Sequence, residues 1–235
     1  MKENKTVLII AIVTIVLVAL ILIVTFLPTK EKEVNTNDDL KGIEFNMEGN
    51  ITTLSQYNTE NPVAALYIKN YGAVVIELYP DVAPNTVNNF ISLIKNGFYD
   101  HNTFHRLMKG FVLQGGDPTG TGTGDPGYKI RGEFTNNGFE NNLKHTKGVV
   151  SMARGSYSMD SAGSQFFIML GDSDFLDGDY AAFGKVIDGM DLVEKIEQNE
   201  MVADAKSGKL QTNLVLEKAV IDLKGKEYPE VEKMN

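Results

Sequence analysis

The 235-residue chain has no cysteine and no tryptophan, and it contains only three histidines and seven prolines. Without cysteine there is no disulfide framework, no thiolate zinc site, no cysteine nucleophile and no lipid-modified N-terminal cysteine. Their absence fits an oxidising compartment without requiring one. Positive charge is also short: 22 Lys+Arg face 31 Asp+Glu, for a net charge of −9. Such a surface repels phosphate backbones and anionic headgroups, and no local basic patch offsets it, so no nucleic-acid partner is expected. Hydrophobic residues at 43% and charged residues at 23% are an ordinary globular balance, inflated at the front by one apolar block.

That block runs from Val7 to Leu27, apolar throughout except for Thr14 and Thr25, and Pro28 closes it. As a helix at ~1.5 Å per residue it spans ~31 Å, against a hydrocarbon thickness of ~30 Å. Residues 7–27 are therefore expected to form a transmembrane anchor behind a short flank, residues 1–6. A cleaved signal peptide, whose apolar core usually runs ~7–15 residues to a small-residue cleavage site, is the alternative, and would leave a secreted protein. Lys2 and Lys5 precede the run, while Lys30 and Lys32 after it alternate with Glu31 and Glu33. Acids count little in the positive-inside rule, so the two flanks nearly tie on lysine, and the expected orientation has the N-terminus inside and the body outside the cytoplasm. Residues 28–61 are polar with scattered Ile43, Phe45, Ile51 and Leu54, and read as a tether.

In the body, Ala64–Ile68 and Ala73–Leu78 are β-rich runs joined by Asn70-Tyr71-Gly72, a hairpin signal. Pro84 opens a helix whose Val87, Phe90, Ile91 and Ile94 share one face, with Asn96-Gly97 as its stop. Further strands are expected at His105–Met108, Phe111–Gln114, Gly148–Met152, Gln165–Leu170, Ala181–Val186 and Ala219–Leu223. A second helix fits Met190–Gln198, capped by Asp188, with Leu192, Val193 and Ile196 as its apolar stripe. Many short strands with only two helices predict a mostly β fold, a closed antiparallel barrel rather than a parallel sheet.

Several motifs fail on their own chemistry. Gly122-Thr123-Gly124-Asp125-Pro126-Gly127 has the letters of a dinucleotide fingerprint, but no helix opens after it, so a surface loop is expected. Asp172, Asp174, Asp177 and Asp179 cluster near Gly178, yet Leu176 occupies a calcium-ligand position and no Glu closes the loop. His101 and His105 lack a third ligand, and His105 reads as a hydrogen-bonded structural residue. Ser151, Ser156, Ser158, Ser161 and Ser164 lie near His145 without a Gly-x-Ser-x-Gly elbow. Neither a metal nor a cofactor is expected.

The informative segments are Phe104-His105-Arg106-Leu107-Met108-Lys109-Gly110-Phe111-Val112-Leu113-Gln114-Gly115-Gly116-Asp117 and Gly163-Ser164-Gln165-Phe166-Phe167-Ile168. Together with Ser151-Met152-Ala153, Phe175-Leu176-Asp177-Gly178 and Phe183-Gly184-Lys185-Val186, they closely resemble the cyclophilin family of peptidyl-prolyl cis–trans isomerases. The resemblance covers residues 62–224, leaving 225–235 as a C-terminal tail. It implies a cyclophilin-like β-barrel with two capping helices, with proline-containing peptides and unfolded exported proteins as partners. Arg106 resembles the family's catalytic arginine and Gln114 its substrate-orienting partner, with Phe111 beside them. Val112, Phe167 and Leu176 also match walls of the proline pocket, and Ala153 and Arg154 match the strand edge that holds the peptide. Phe175 and Tyr180 stand where Trp and His are usual, Val112 where Met is, and Arg154 where Asn is. The Phe175 departure implies weakened affinity for cyclosporin. Phe166 reads as barrel core.

Rotation about an Xaa–Pro bond crosses a barrier of ~18–20 kcal/mol without breaking a covalent bond. In the twisted state the prolyl nitrogen regains its lone pair, so a fixed donor aimed at it stabilises that state above the planar one. A permanently charged guanidinium suits that role.

Overall fold

The structure, a computed structural model, describes residues 54–234. The expected anchor at 7–27 and the tether before Leu54 lie outside the described residues. Within the described residues no helix is long and apolar enough to cross a membrane.

Among the described residues, nine strands and two α-helices follow in the order β1 Val63–Ile68, β2 Gly72–Leu78, α1 Pro84–Lys95, β3 Asn102–Met108, β4 Val112–Gly115, β5 Val149–Met152, β6 Phe166–Met169, β7 Ala182–Asp188, α2 Met190–Asn199, β8 Val202–Asp204 and β9 Lys209–Asp222. All pairings are antiparallel, in the order β1-β2-β7-β5-β6-β4-β3-β9, and β9 returns to β1. Eight strands thus close the expected barrel, with β8 appended to β9. Closure leaves no long unpaired edge to template aggregation.

The helices seal the core. Pro84 supplies a preset φ at the start of α1. Phe90 on its buried face packs on Tyr99, Phe166 and Phe183 with ring centroids 5.1, 5.3 and 5.1 Å away. Val193 and Ile196 do the same from α2. Asp188 does not cap α2 as expected. It is still a strand residue, paired with Val75, and its carboxylate accepts the Gly189 N–H. Gly189 is the N-cap, at φ 81°, where a Cβ would meet the Ala73 carbonyl oxygen at 2.5 Å.

Two boundaries differ from the sequence expectation. Strand β1 is buried on both faces: Ala64, Leu66 and Ile68 point into the barrel, whereas Val63, Ala65 and Tyr67 join Leu54, Val75 and Val220 outside it. A 3-10 turn at Leu54–Gln56 covers that outer face, and Lys224 donates to the Leu54 and Tyr57 carbonyls at 2.9 and 3.0 Å. Residues 54–61, read as tether, therefore pack on the barrel. So does the expected tail at 225–235. Met234 exchanges backbone hydrogen bonds with Lys129, Asn85 does so with Glu232 through its side-chain amide, and Tyr228 and Val231 pack on the main core.

Candidate active site

The barrel's cross-strand register assembles the site. Arg106 pairs with Gln114, Gln114 with Phe167, and Phe167 with Ser151. Directly opposed residues share a face, so these four form a row across β3, β4, β6 and β5 on the outside of the barrel. The next row, Leu107, Leu113, Ile168 and Val150, points into the core. Strict alternation would put Arg106 on the same face as Phe104, which is buried in the core. A register shift against β9 between Phe104 and Arg106 breaks that alternation and lets Arg106 face outward.

Arg106 is held on several sides. Nη1 donates to Gln114 Oε1 at 3.0 Å, Nε donates to the Ser207 carbonyl at 3.1 Å, and Nη2 touches Met108 Sδ. The guanidinium carbon lies 6.0 Å from the Phe111 ring centroid. Partial burial lowers its pKa from the ordinary value, and a guanidinium stays charged regardless. Gln114 Nε2 donates to Gln165 Oε1 at 3.0 Å, and Gln165 Nε2 donates to the Gly124 carbonyl at 2.9 Å. A primary amide carries two donor hydrogens, so one on Gln114 is left for a ligand carbonyl.

Beside this polar row lies an apolar patch of Val112, Phe167, Leu176, Met169, Val149 and Ala182, with Phe111, Ala153 and Tyr180 packed against it. Phe175 lies against Phe111 with ring centroids 5.6 Å apart and planes tilted by 30°, and is 67% exposed, so it is open to a ligand. Val112 is 1% exposed and supports the patch from beneath. Phe167 meets Tyr180 edge-on at 5.8 Å. Ala153 follows β5, its N–H bonded to the Gln165 carbonyl at 2.9 Å. Arg154 lies 4.9 Å from the Tyr180 ring centroid and donates Nε to the Asp179 carbonyl at 2.9 Å. The structure thus brings the ten predicted site residues into one region, with Val112 beneath the patch and not on its surface. It adds Gln165, which lies within the Gly163–Ile168 segment, and the Ser207 carbonyl, where Ser207-Gly208 signals a turn but nothing marks a functional role.

His145 bridges Asp177 Oδ1 and Ser151 Oγ, at 3.0 Å each, in the connectivity of a catalytic triad. Ser151 is 0% exposed and His145 2%, so no substrate reaches them and the trio is a structural clamp. Burial lowers the His145 pKa despite the opposing pull of Asp177. His105 is not the hydrogen-bonded residue expected: both ring nitrogens are buried without a hydrogen-bond partner among the described residues. Its pKa is lowered, chiefly by that burial. Asp172 and Asp179 accept from Lys147 N–H and the Asn136 amide, and no cluster of metal-binding side chains occurs among the described residues. The Gly122–Gly127 loop opens no helix, and Gly122 and Gly124 donate their N–H groups to Asp117.

Residues 63–221 match the family model described as cyclophilin type peptidyl-prolyl cis-trans isomerase/CLD. A peptidyl-prolyl cis-trans isomerase of Helicobacter pylori is 42% identical over 135 residues, 57% of this chain and 79% of the relative. Peptidyl-prolyl cis-trans isomerase B of Bacillus subtilis is 42% identical over 133 residues, 57% of this chain and 89% of the relative. A crystal structure of a Cryptosporidium parvum cyclophilin type peptidyl-prolyl cis-trans isomerase, in the presence of the dipeptide Ala-Pro, superposes with a TM-score of 0.61. It is 35% identical, over 68% of this chain and 98% of that one.

Proposed function

The chain belongs to the cyclophilin-type peptidyl-prolyl cis–trans isomerases and is an enzyme of that class, and from this premise we propose the roles of its residues and its place in the cell. The proline ring lies on the apolar patch between Phe111, Phe167 and Leu176. Gln114 donates its free amide hydrogen to the Xaa carbonyl, so that one part of the peptide rotates against another. Arg106 donates to the prolyl nitrogen as it becomes pyramidal. Removing ~5–6 kcal/mol from the barrier gives about a ten-thousandfold acceleration. The observation that carries this reading is the fixed Arg106, tied to Gln114 and Ser207 beside Phe111. A donor that need not reorganise favours the twisted state over the planar one.

The substrates are Xaa-Pro bonds in unfolded exported chains. Support for this finer reading is the Val7–Leu27 run, long enough to span a membrane and anchor the chain to it. Protease added to intact cells then releases the barrel by cutting between the anchor and Leu54. A barrel protected until lysis would overturn this orientation. The enzymatic reading is tested with an Ala-Pro peptide and the full-length protein by NMR exchange spectroscopy. Accelerated cis–trans exchange is the expected result; shifted peaks without acceleration would mark a binding module instead.

A further inference from the structure

With no cysteine, the chain carries all its sulfur as thioether, in nine methionines. Met152 and Met169 are buried, while Met159, Met201 and Met234 are exposed. Met108 differs from these in what its sulfur touches. It is partly buried, packs against the apolar patch, and its Sδ contacts Arg106 Nη2. Opposed to Val112 on β4, it shares the outward face of β3 with Arg106. Gly208 fits closely over both: a Cβ there would meet Met108 Cγ at 2.8 Å and Arg106 Cγ at 3.1 Å.

The thioether is the weakest of the three acceptors around the guanidinium. Carbonyl oxygens of Gln114 and Ser207 hold Nη1 and Nε at 3.0 and 3.1 Å, whereas sulfur leaves Nη2 most of its donor strength. Nη2 is thus the nitrogen best able to donate to a substrate. Oxidation of the sulfur reverses this, because a sulfoxide is polar and its oxygen is a strong acceptor. Turned toward Val112 or Phe167, that oxygen would be buried without a partner; turned toward Arg106, it gains a charge-assisted hydrogen bond.

We propose that Met108 is a modification site through which peroxide lowers the isomerase activity, its sulfoxide oxygen occupying the Arg106 donor. The inference rests on the role given to Arg106 above. A sulfur lone pair takes one oxygen from hydrogen peroxide as the O–O bond breaks; sulfur is oxidised by two electrons, the peroxide is reduced, and water leaves. To reach the prolyl nitrogen, Arg106 must then give up its bond to the sulfoxide. The expected fall in kcat is roughly five- to thirtyfold, with KM, set by the patch, changing less than about twofold.

The test treats the full-length protein with hydrogen peroxide, quenches with catalase, reads oxidation at each methionine by peptide mass spectrometry, and follows an Ala-Pro peptide by NMR exchange. The rate is expected to fall with the fraction of Met108 oxidised, in kcat rather than KM. It returns on treatment with methionine sulfoxide reductases for both epimers, driven by a dithiol that becomes a disulfide as the oxygen leaves in water. The treated/untreated ratio makes each protein its own control. In Met108→Leu, whose other methionines still oxidise, this ratio is expected to stay within about twofold of one. Should that variant fail to fold, the kcat–KM split and the reversal in the unaltered protein carry the test. Four results overturn the inference while leaving the isomerase reading intact: Met108 oxidised with the rate unchanged, Met108 left unoxidised when Met159 and Met201 are converted, an equal loss in Met108→Leu, or a loss confined to KM. An untreated protein that fails to accelerate exchange overturns the isomerase reading instead.

Discussion

Arg106 and Gln114 face each other across the β3–β4 ladder, and their side chains are joined by a 3.0 Å hydrogen bond from guanidinium to amide oxygen. Because Gln114 is itself tied to Gln165, and Gln165 to the Gly124 carbonyl, the orientation of Arg106 is set by a relay that ends in a surface loop. The two side chains proposed to donate to the substrate nitrogen and the substrate carbonyl are thus fixed relative to each other by a direct hydrogen bond.

Replacing Arg106 with Ala is expected to cut kcat/KM at least about a hundredfold, or ~2.7 kcal/mol. Peptide affinity changes far less, because the patch around Phe167 and Leu176 remains. Single-turnover exchange rates alongside peptide titrations separate the two. Equal losses in rate and binding would make Arg106 a uniform binding residue rather than a transition-state donor.

Phe175 is the most exposed wall of the patch, tilted against Phe111 and largely open to solvent. An indole there presents a larger face and an N–H donor. We expect cyclosporin to inhibit the unaltered enzyme weakly and the Phe175→Trp variant more strongly, with kcat/KM for a short peptide differing by no more than about threefold between the two. Inhibition curves for the two proteins, run side by side, decide this. Equal sensitivity would show that the ring at this place does not govern the inhibitor.

How much of this was legible beforehand varies along the chain for physical reasons. Phe166 and Phe167 illustrate the readable part: alternation along a strand sends one into the core and the other to the site. Arg106 illustrates the opposite, since its outward direction depends on a register shift against β9 that pattern alone does not reveal. Strand β9 was read only over Ala219–Leu223 because Gln211, Thr212 and Asn213 are exposed and polar, which resembles a loop. The packing of residues 54–61 and 225–234 is hidden from the sequence for a similar reason. Segments that lie on a barrel's outside carry only isolated apolar anchors, such as Leu54, Tyr228 and Val231, with no period to detect.

Those outer segments contribute to stability. Deleting residues 227–235 removes the Met234 and Glu232 hydrogen bonds and uncovers surface beneath Tyr228 and Val231. The loss is expected to be about 2–4 kcal/mol, given that both side chains are only partly buried. Tyr228→Ala alone is expected to cost about 1–2 kcal/mol. Urea unfolding midpoints at constant slope measure both. Unchanged midpoints would mean that the strap rests on the barrel without stabilising it.

The final prediction separates the pH dependence of stability from that of rate. Arg106 and Gln114 exchange no proton in the proposed step, so kcat/KM is expected to be nearly flat from about pH 6 to 8 and indifferent to a chelator. Stability behaves differently because His145 and His105 have pKa values lowered by burial. A histidine kept neutral by the fold binds its proton more readily when unfolded. Stability is therefore full above the unfolded value of ~6.5 and declines as pH falls from there through the lower folded values. Melting temperature is expected to hold steady between about pH 7 and 8 and to drop below about 6.5. His145→Gln should remove part of that drop, while costing about 1–3 kcal/mol at neutral pH through disruption of the bonds to Asp177 and Ser151. Thermal unfolding across pH, with rates measured only where the fold is intact, tests both halves. A rate limb near pH 6.5 in the folded enzyme, or activity lost to a chelator and restored by metal, would overturn the proton-free mechanism.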